Sequence, residues 1–163
     1  MRHIISLLME NEAGALSRVA GLFSARNFNI ESLTVAPTHD PTLSRMTIVT
    51  RGNDRVIEQI TKQLNKLIDV VKLVDLTDSS FLERELMLVK IQAIGEARDE
   101  IMRLADIFRS EILDVSPTTL VVEVTGASKK LDAFLAALKK DSVLEVVRSG
   151  ATGVARGDKA LSI

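Results

Sequence analysis

The sequence predicts an α+β protein made of two successive units, each ordered strand, helix, strand, strand, helix, strand. Three observations carry that expectation: a helical stripe that recurs at a fixed offset, a turn-joined strand pair in each half, and a β-branched run closing each half. Leu16, Val19, Ala20 and Phe23 stand at i, i+3, i+4 and i+7, the apolar face of an amphipathic helix. Ile101, Leu104, Ala105 and Phe108 repeat that stripe 85 residues on (16 to 101, 23 to 108). Such an offset marks an internal duplication.

Taken in order, His3–Met9 is a strand-like run, and the same offset carries it onto Leu88–Ile94. After the first helix, Asn29–Ala36 and Arg45–Arg51 have strand character and flank the turn formers Pro37-Thr38-His39-Asp40-Pro41-Thr42. The matching pair in the second half is Ile112–Val115 and Leu120–Thr125 around Ser116-Pro117-Thr118-Thr119. Ile57, Ile60 and Leu64 form a second helical stripe, answered by Leu131, Phe134 and Leu138 at an offset of 74 (57 to 131), so the second copy has the shorter middle. Val70–Val74 and Val143–Val147 close the halves. This is the ferredoxin-like βαββαβ plan, a four-stranded antiparallel sheet with two helices on one face. The polar join Thr77-Asp78-Ser79-Ser80 divides the chain into domains 1–77 and 81–163. From Gly150 onward no period is evident, and the tail is expected to be loosely ordered unless it docks on something. Val71 and Leu73 alternate with Val70, Lys72 and Val74, so both sheet faces are partly apolar. That pattern fits burial against another sheet or subunit, or a tightly twisted core.

Composition narrows the function. The 163 residues hold 21 Lys+Arg against 22 Asp+Glu, with 46% hydrophobic residues and no Cys, Trp or Tyr. Thiolate chemistry, disulfides and Cys-ligated zinc are excluded. Near-neutral charge and a third strand, Arg45-Met46-Thr47-Ile48-Val49, without stacking aromatics argue against nucleic acid. No apolar run approaches a membrane span, and Met1–Ile5 does not read as a signal peptide, so a cytoplasmic protein is expected. His3 and His39 read as surface histidines, and Glu10/Glu12 and Glu83/Glu85 as solvated charges. No nucleotide, nucleophile-elbow or metal pattern occurs, so no catalytic or metal residues are assigned. Arg18, Arg26, Lys62 and Lys66 read as a solvated helical face that is also available to a partner.

One loop has chemical content. Glu10-Asn11-Glu12-Ala13-Gly14-Ala15-Leu16 leads from the first strand into the first helix. First-turn amides lack intrahelical acceptors and sit at the positive end of the helix dipole. They can hold a small carboxylate, or be capped conventionally by Asn11 or Glu12. The corresponding loop, Gly95-Glu96-Ala97-Arg98-Asp99-Glu100, is acidic, which suits capping and repels a carboxylate. If either half takes a small acid, it is the first. Asn29 opens the second strand at the far end of the helix, so Gly14 and Asn29 meet only if two chains pair about a two-fold axis.

The segments Asn11-Glu12-Ala13-Gly14-Ala15-Leu16-Ser17-Arg18-Val19, Phe23–Val35 and Asp40-Pro41-Thr42-Leu43-Ser44-Arg45-Met46-Thr47 closely resemble the small, regulatory subunit of bacterial acetolactate synthase (acetohydroxyacid synthase). The likeness continues through Lys62–Leu67, Glu83–Lys90, Arg148-Ser149-Gly150 and Arg156-Gly157-Asp158, essentially the whole chain. It implies an N-terminal ACT domain and an ACT-like C-terminal domain, a homodimer paired through the ACT domains, and L-valine bound at that interface. It further implies that the chain is not itself an enzyme but activates a large catalytic subunit and confers feedback inhibition on it, in the first common step of branched-chain amino-acid biosynthesis. Thiamine diphosphate, Mg²⁺ and FAD are expected in that catalytic subunit and no cofactor in this chain. Carried over by position, the effector contacts are Asn11, Gly14, Ala15 and Leu16 from one chain and Asn29 and Ile30 from its partner, with Ala36 nearby.

Overall fold

The computed structural model describes all residues, Met1–Ile163. Two compact units form. One comprises Met1–Leu82 together with Ala151–Ile163, the other Glu83–Gly150.

In the first unit, β1 (Arg2–Glu10), α1 (Ala15–Ala25), β2 (Ile30–Pro37), β3 (Leu43–Arg51), α2 (Asp54–Asn65) and β4 (Val70–Asp75) follow the expected order. The antiparallel sheet runs β2-β3-β1-β4, which leaves β2 and β4 as edges. Alternation sorts the central strand: Ile5, Leu7 and Met9 point to one face and meet Val19 and Phe23 of α1 and Ile57, Ile60 and Leu64 of α2. Asn53 caps α2 by accepting from Val56 N–H at 2.9 Å. His3 is not a surface residue: it is 4% exposed, with Nδ1 2.8 Å from Asp75 Oδ2. Asp75 sits on the neighbouring strand and pairs with Nδ1 of a ring that the pleat turns inward, while the buried Nε2 has no partner.

The opposite face of this sheet is covered by the chain's own end. After a 3₁₀ turn at Leu76–Asp78 the chain enters β5 (Phe81–Gln92), which starts earlier than the sequence suggested. The tail is docked and includes a short strand, Thr152–Ala155, numbered β9 below, that pairs with β5. Ala151 joins Ile4, Val49 and Leu76 in a small second core. Thr34 Oγ1 donates to Ala151 O at 3.4 Å, Lys72 Nζ to Ser162 O at 2.8 Å, and Arg156 N–H to Ser80 O at 3.0 Å. Residues 151–163 thus associate with the first unit, whereas the sequence had assigned them to the second. Part of the apolar signal on both sheet faces has this origin.

The second unit repeats the plan with α3 (Glu96–Ile107), β6 (Glu111–Val115), β7 (Thr119–Gly126), α4 (Ser128–Ala137) and β8 (Val143–Arg148), in strand order β6-β7-β5-β8, β9 pairing with β5 off that path. Met87, Val89 and Ile91 of β5 pack with Ile101 and Ala105 of α3 and Leu131 and Phe134 of α4. Phe108 and Phe134 meet edge to face at 5.3 Å. Glu85 is not solvated: it is 6% exposed and its Oε1 accepts from Arg148 Nη2 at 2.5 Å and Nε at 3.1 Å. Arg148 lies across from Met87 on β8, which brings the guanidinium over the strand start.

Candidate functional site

Gly14 adopts a left-handed conformation (φ 85°, ψ −11°) at the N-cap of α1, and no side chain caps the helix. Of the two readings of this loop, conventional capping is therefore absent. Asn11 is engaged elsewhere, its N–H donating to Thr42 O at 2.8 Å and its Nδ2 to Pro41 O at 3.0 Å. These bonds tie the loop to the β2–β3 turn, and Asn11 keeps its Oδ1 and one Nδ2–H for other partners. Ala15 is buried under the loop, while Leu16 is 43% exposed beside it.

A bidentate ion pair fixes the floor of the loop. Arg18, one turn into α1, donates through Nε to Asp69 Oδ2 at 2.5 Å and through Nη2 to Asp69 Oδ1 at 3.0 Å. The guanidinium holds the buried Asp69 carboxyl below the usual carboxylate range, and Asp69 raises Arg18 in return. A Cβ on Gly14 would lie 2.9 Å from Arg18 Nη1. Glu10, Glu12 and Asp69 place carboxylate oxygens within 4.8 Å of one another, with Arg18 supplying the positive charge among them. The sequence reading missed Arg18 and Asp69 as positioning residues; they lie 51 residues apart, and nothing local links them.

The named residues do not all come together in one chain. Glu10 pairs with Leu43, whereas Ile30 pairs with Thr50, seven residues along β3. At about 3.4 Å per residue these ends are about 24 Å apart. Asn29 is exposed at the far end, with its C=O accepting from Thr50 Oγ1 at 2.6 Å. Ala36 pairs with Arg45 near the Gly14 end, on the sheet face turned away from the helices. The second unit's equivalent helix has Gly95 at its N-cap (φ 61°), also without a side-chain cap, and Glu96 and Asp99 in its first turn. Its acids act on the helix dipole and not, as expected, through capping bonds.

A four-stranded antiparallel sheet with two helices on one face and a glycine-led, uncapped first helix defines an ACT-type regulatory domain. The family model described as "AHAS small subunit-like ACT domain" matches residues 5–72, and the one described as "Small subunit of acetolactate synthase" matches residues 84–157, a span that includes β9. The chain is 58% identical to the acetolactate synthase small subunit of Haemophilus influenzae over 98% of each sequence, and 58% identical to the acetolactate synthase isozyme 3 small subunit of Escherichia coli over 99% of each. The crystal structure of the acetolactate synthase small subunit from Thermotoga maritima superposes with a TM-score of 0.89 at 40% identity, covering 98% of this chain and 99% of that one. The chain belongs to the acetolactate synthase small-subunit family, and is thus the regulatory rather than the catalytic member of that enzyme. No helix is long and apolar enough to cross a membrane.

Proposed function

We propose that this chain is the valine sensor of a cytoplasmic acetolactate synthase, binding L-valine across a homodimer of its first units and relaying it to a large catalytic subunit. The observation that carries this reading is the left-handed Gly14 turn, where no side chain caps α1, beside Asn11, whose Oδ1 can accept. The amides of Gly14 and Leu16 suit a carboxylate, the Ala15 N–H being engaged by Glu12 O at 3.3 Å. Asn11 Oδ1 suits an ammonium, and Leu16 offers an apolar wall of the size an aliphatic side chain needs.

Edge geometry supports the two-chain site. β2 is an unpaired edge with Val35 39% exposed. Antiparallel pairing of two β2 edges about a two-fold axis sets the Asn29 end of one strand beside the Pro37 end of the other, which is also the Gly14 end of its sheet. Asn29 and Ile30 would then complete the site from the partner. Thiamine diphosphate, Mg²⁺ and FAD belong to the catalytic subunit in this scheme.

Calorimetric titration of the purified chain with L-valine tests the reading, with D-valine and L-glutamate as controls. Stereoselective saturation at one or two ligands per dimer is expected. Absence of heat at several temperatures, both for the chain alone and for its complex with the catalytic subunit, would refute it in favour of a scaffold that senses nothing.

A further inference from the structure

The face of the first sheet turned away from α1 and α2 carries an arginine with no acid beside it. Arg45 lies opposite Leu8 and Ala36 in the register, on the same face as Ser6 and Thr47 of the neighbouring pair. Its Nε donates to Ser6 Oγ at 2.6 Å and its Nη2 to Gly153 O at 2.8 Å. Both acceptors are neutral. Arg18, Arg51, Arg103 and Arg148 each meet a carboxylate, whereas Arg45 is partly buried and burial alone acts on it, lowering its pKa. A guanidinium has five donors, so three remain, both of those on Nη1 among them. A partly desolvated charge without a counter-charge is unfavourable until an anion answers it.

The space for such an anion is present. A cleft of about 260 Å³ opens beside the guanidinium, lined by Thr34, Ala36, Thr47, Thr152 and Gly153 as well as Arg45. β9 forms one wall, and the Gly153 carbonyl that accepts from Arg45 aims the fork. The β2 backbone at Val35 and Pro37 borders the cleft, and the Ala36 methyl lies on its face beside Arg45. One cation matches one negative charge, and the planar fork matches a carboxylate in two parallel bonds. No acidic side chain lines the cleft, so the guanidinium is the charge a ligand meets there.

We propose that this cleft binds a small monocarboxylate, held by Arg45 and the Thr47 hydroxyl and walled by β9. It is separate from the Gly14 turn, because Arg45 faces away from the helices.

The test is an amide and arginine side-chain NMR titration of the full chain with sodium acetate, against sodium chloride and sodium phosphate at equal ionic strength. Acetate is expected to shift the Arg45 Nε–H and the amides of Thr34, Thr47 and Gly153 saturably, and chloride is not. Thr47→Val, close in shape, should weaken acetate about tenfold, the loss of one hydrogen bond to a charged group. Arg45→Met should abolish it, while Gly14→Asp leaves it intact. Linear shifts equal for acetate and chloride would overturn the proposal, as would saturation preserved in Arg45→Met or unchanged affinity in Thr47→Val. Tighter saturation by phosphate would overturn the carboxylate assignment.

Discussion

Gly14→Asp is the substitution that most directly probes the proposed valine site, and Gly14→Asn is its control. Both side chains tolerate the left-handed region better than other non-glycine residues, so the backbone cost at φ 85° is shared. Both place a Cβ 2.9 Å from Arg18 Nη1, which the half-exposed arginine can relieve by a small shift. They differ in charge. An aspartate here would stand roughly 5 Å from a carboxylate seated on the first-turn amides, and two unit charges at that distance repel by about 3 kcal/mol at an effective dielectric near 20. That corresponds to a loss of over a hundredfold in affinity. The same charge favours the positive end of α1, so Gly14→Asp should melt no lower than Gly14→Asn. Calorimetry with L-valine and circular-dichroism melts on both variants decide it. Equal valine affinities for the two would refute placement of the ligand carboxylate at this turn, and a much lower melting point for Gly14→Asp would refute the stability argument.

The remaining predictions concern linkage, pH and packing. If valine bridges two chains, ligand at about ten times its dissociation constant should tighten a two-site dimer by about 3 kcal/mol, roughly a hundredfold, in sedimentation equilibrium; an unchanged dimer constant would count against bridging. Asp69 is held below the usual carboxylate range first by its hydrogen bond from Arg18, so its contribution is present above the unfolded value near 4 and fades as pH falls through the lower folded one. The melting-point gap between the wild type and Asp69→Asn should therefore narrow below about pH 4, and a gap constant across that range would contradict the pairing. Arg148→Met leaves the buried Glu85 unpaired and should cost about 2–3 kcal/mol, under the full buried-pair range because Arg148 is itself a third exposed. Phe134→Ala should cost about 3–5 kcal/mol in denaturant unfolding followed at 222 nm, an effect carried by the Glu83–Gly150 unit.

Most of the fold was legible because burial imposes its period on sequence. Val19 and Phe23, or Ile101 and Ala105, can face a sheet only at helical spacing, and both sets are buried as that spacing requires. The tail was not legible for the same reason. Thr152–Ala155 is too short to display a period, and its docking depends on Leu76, Ile4 and Arg45, which are far away in sequence. His3 and Glu85 misled because a polar residue in a strand can be buried when the adjacent strand supplies its partner. Asp75, opposite Ile5, and Arg148, opposite Met87, are those partners, 72 and 63 positions away.

The duplication sharpens the reading of the site. Both halves start their first helix at a positive-φ glycine without a side-chain cap, but Gly14 is left-handed (φ 85°, ψ −11°) and Gly95 is not (φ 61°, ψ −133°). Charge differs as well. The first turn of α1 contains no acid, and the nearby Asp69 is neutralised by Arg18; the first turn of α3 holds Glu96 and Asp99. A ligand carboxylate approaching α3 meets two like charges in the turn itself, whereas one approaching α1 meets none there, Glu10 and Glu12 lying in the loop before it. The copies thus differ at this turn in both backbone shape and first-turn charge, which is why the proposed carboxylate site is placed at α1 and not at α3.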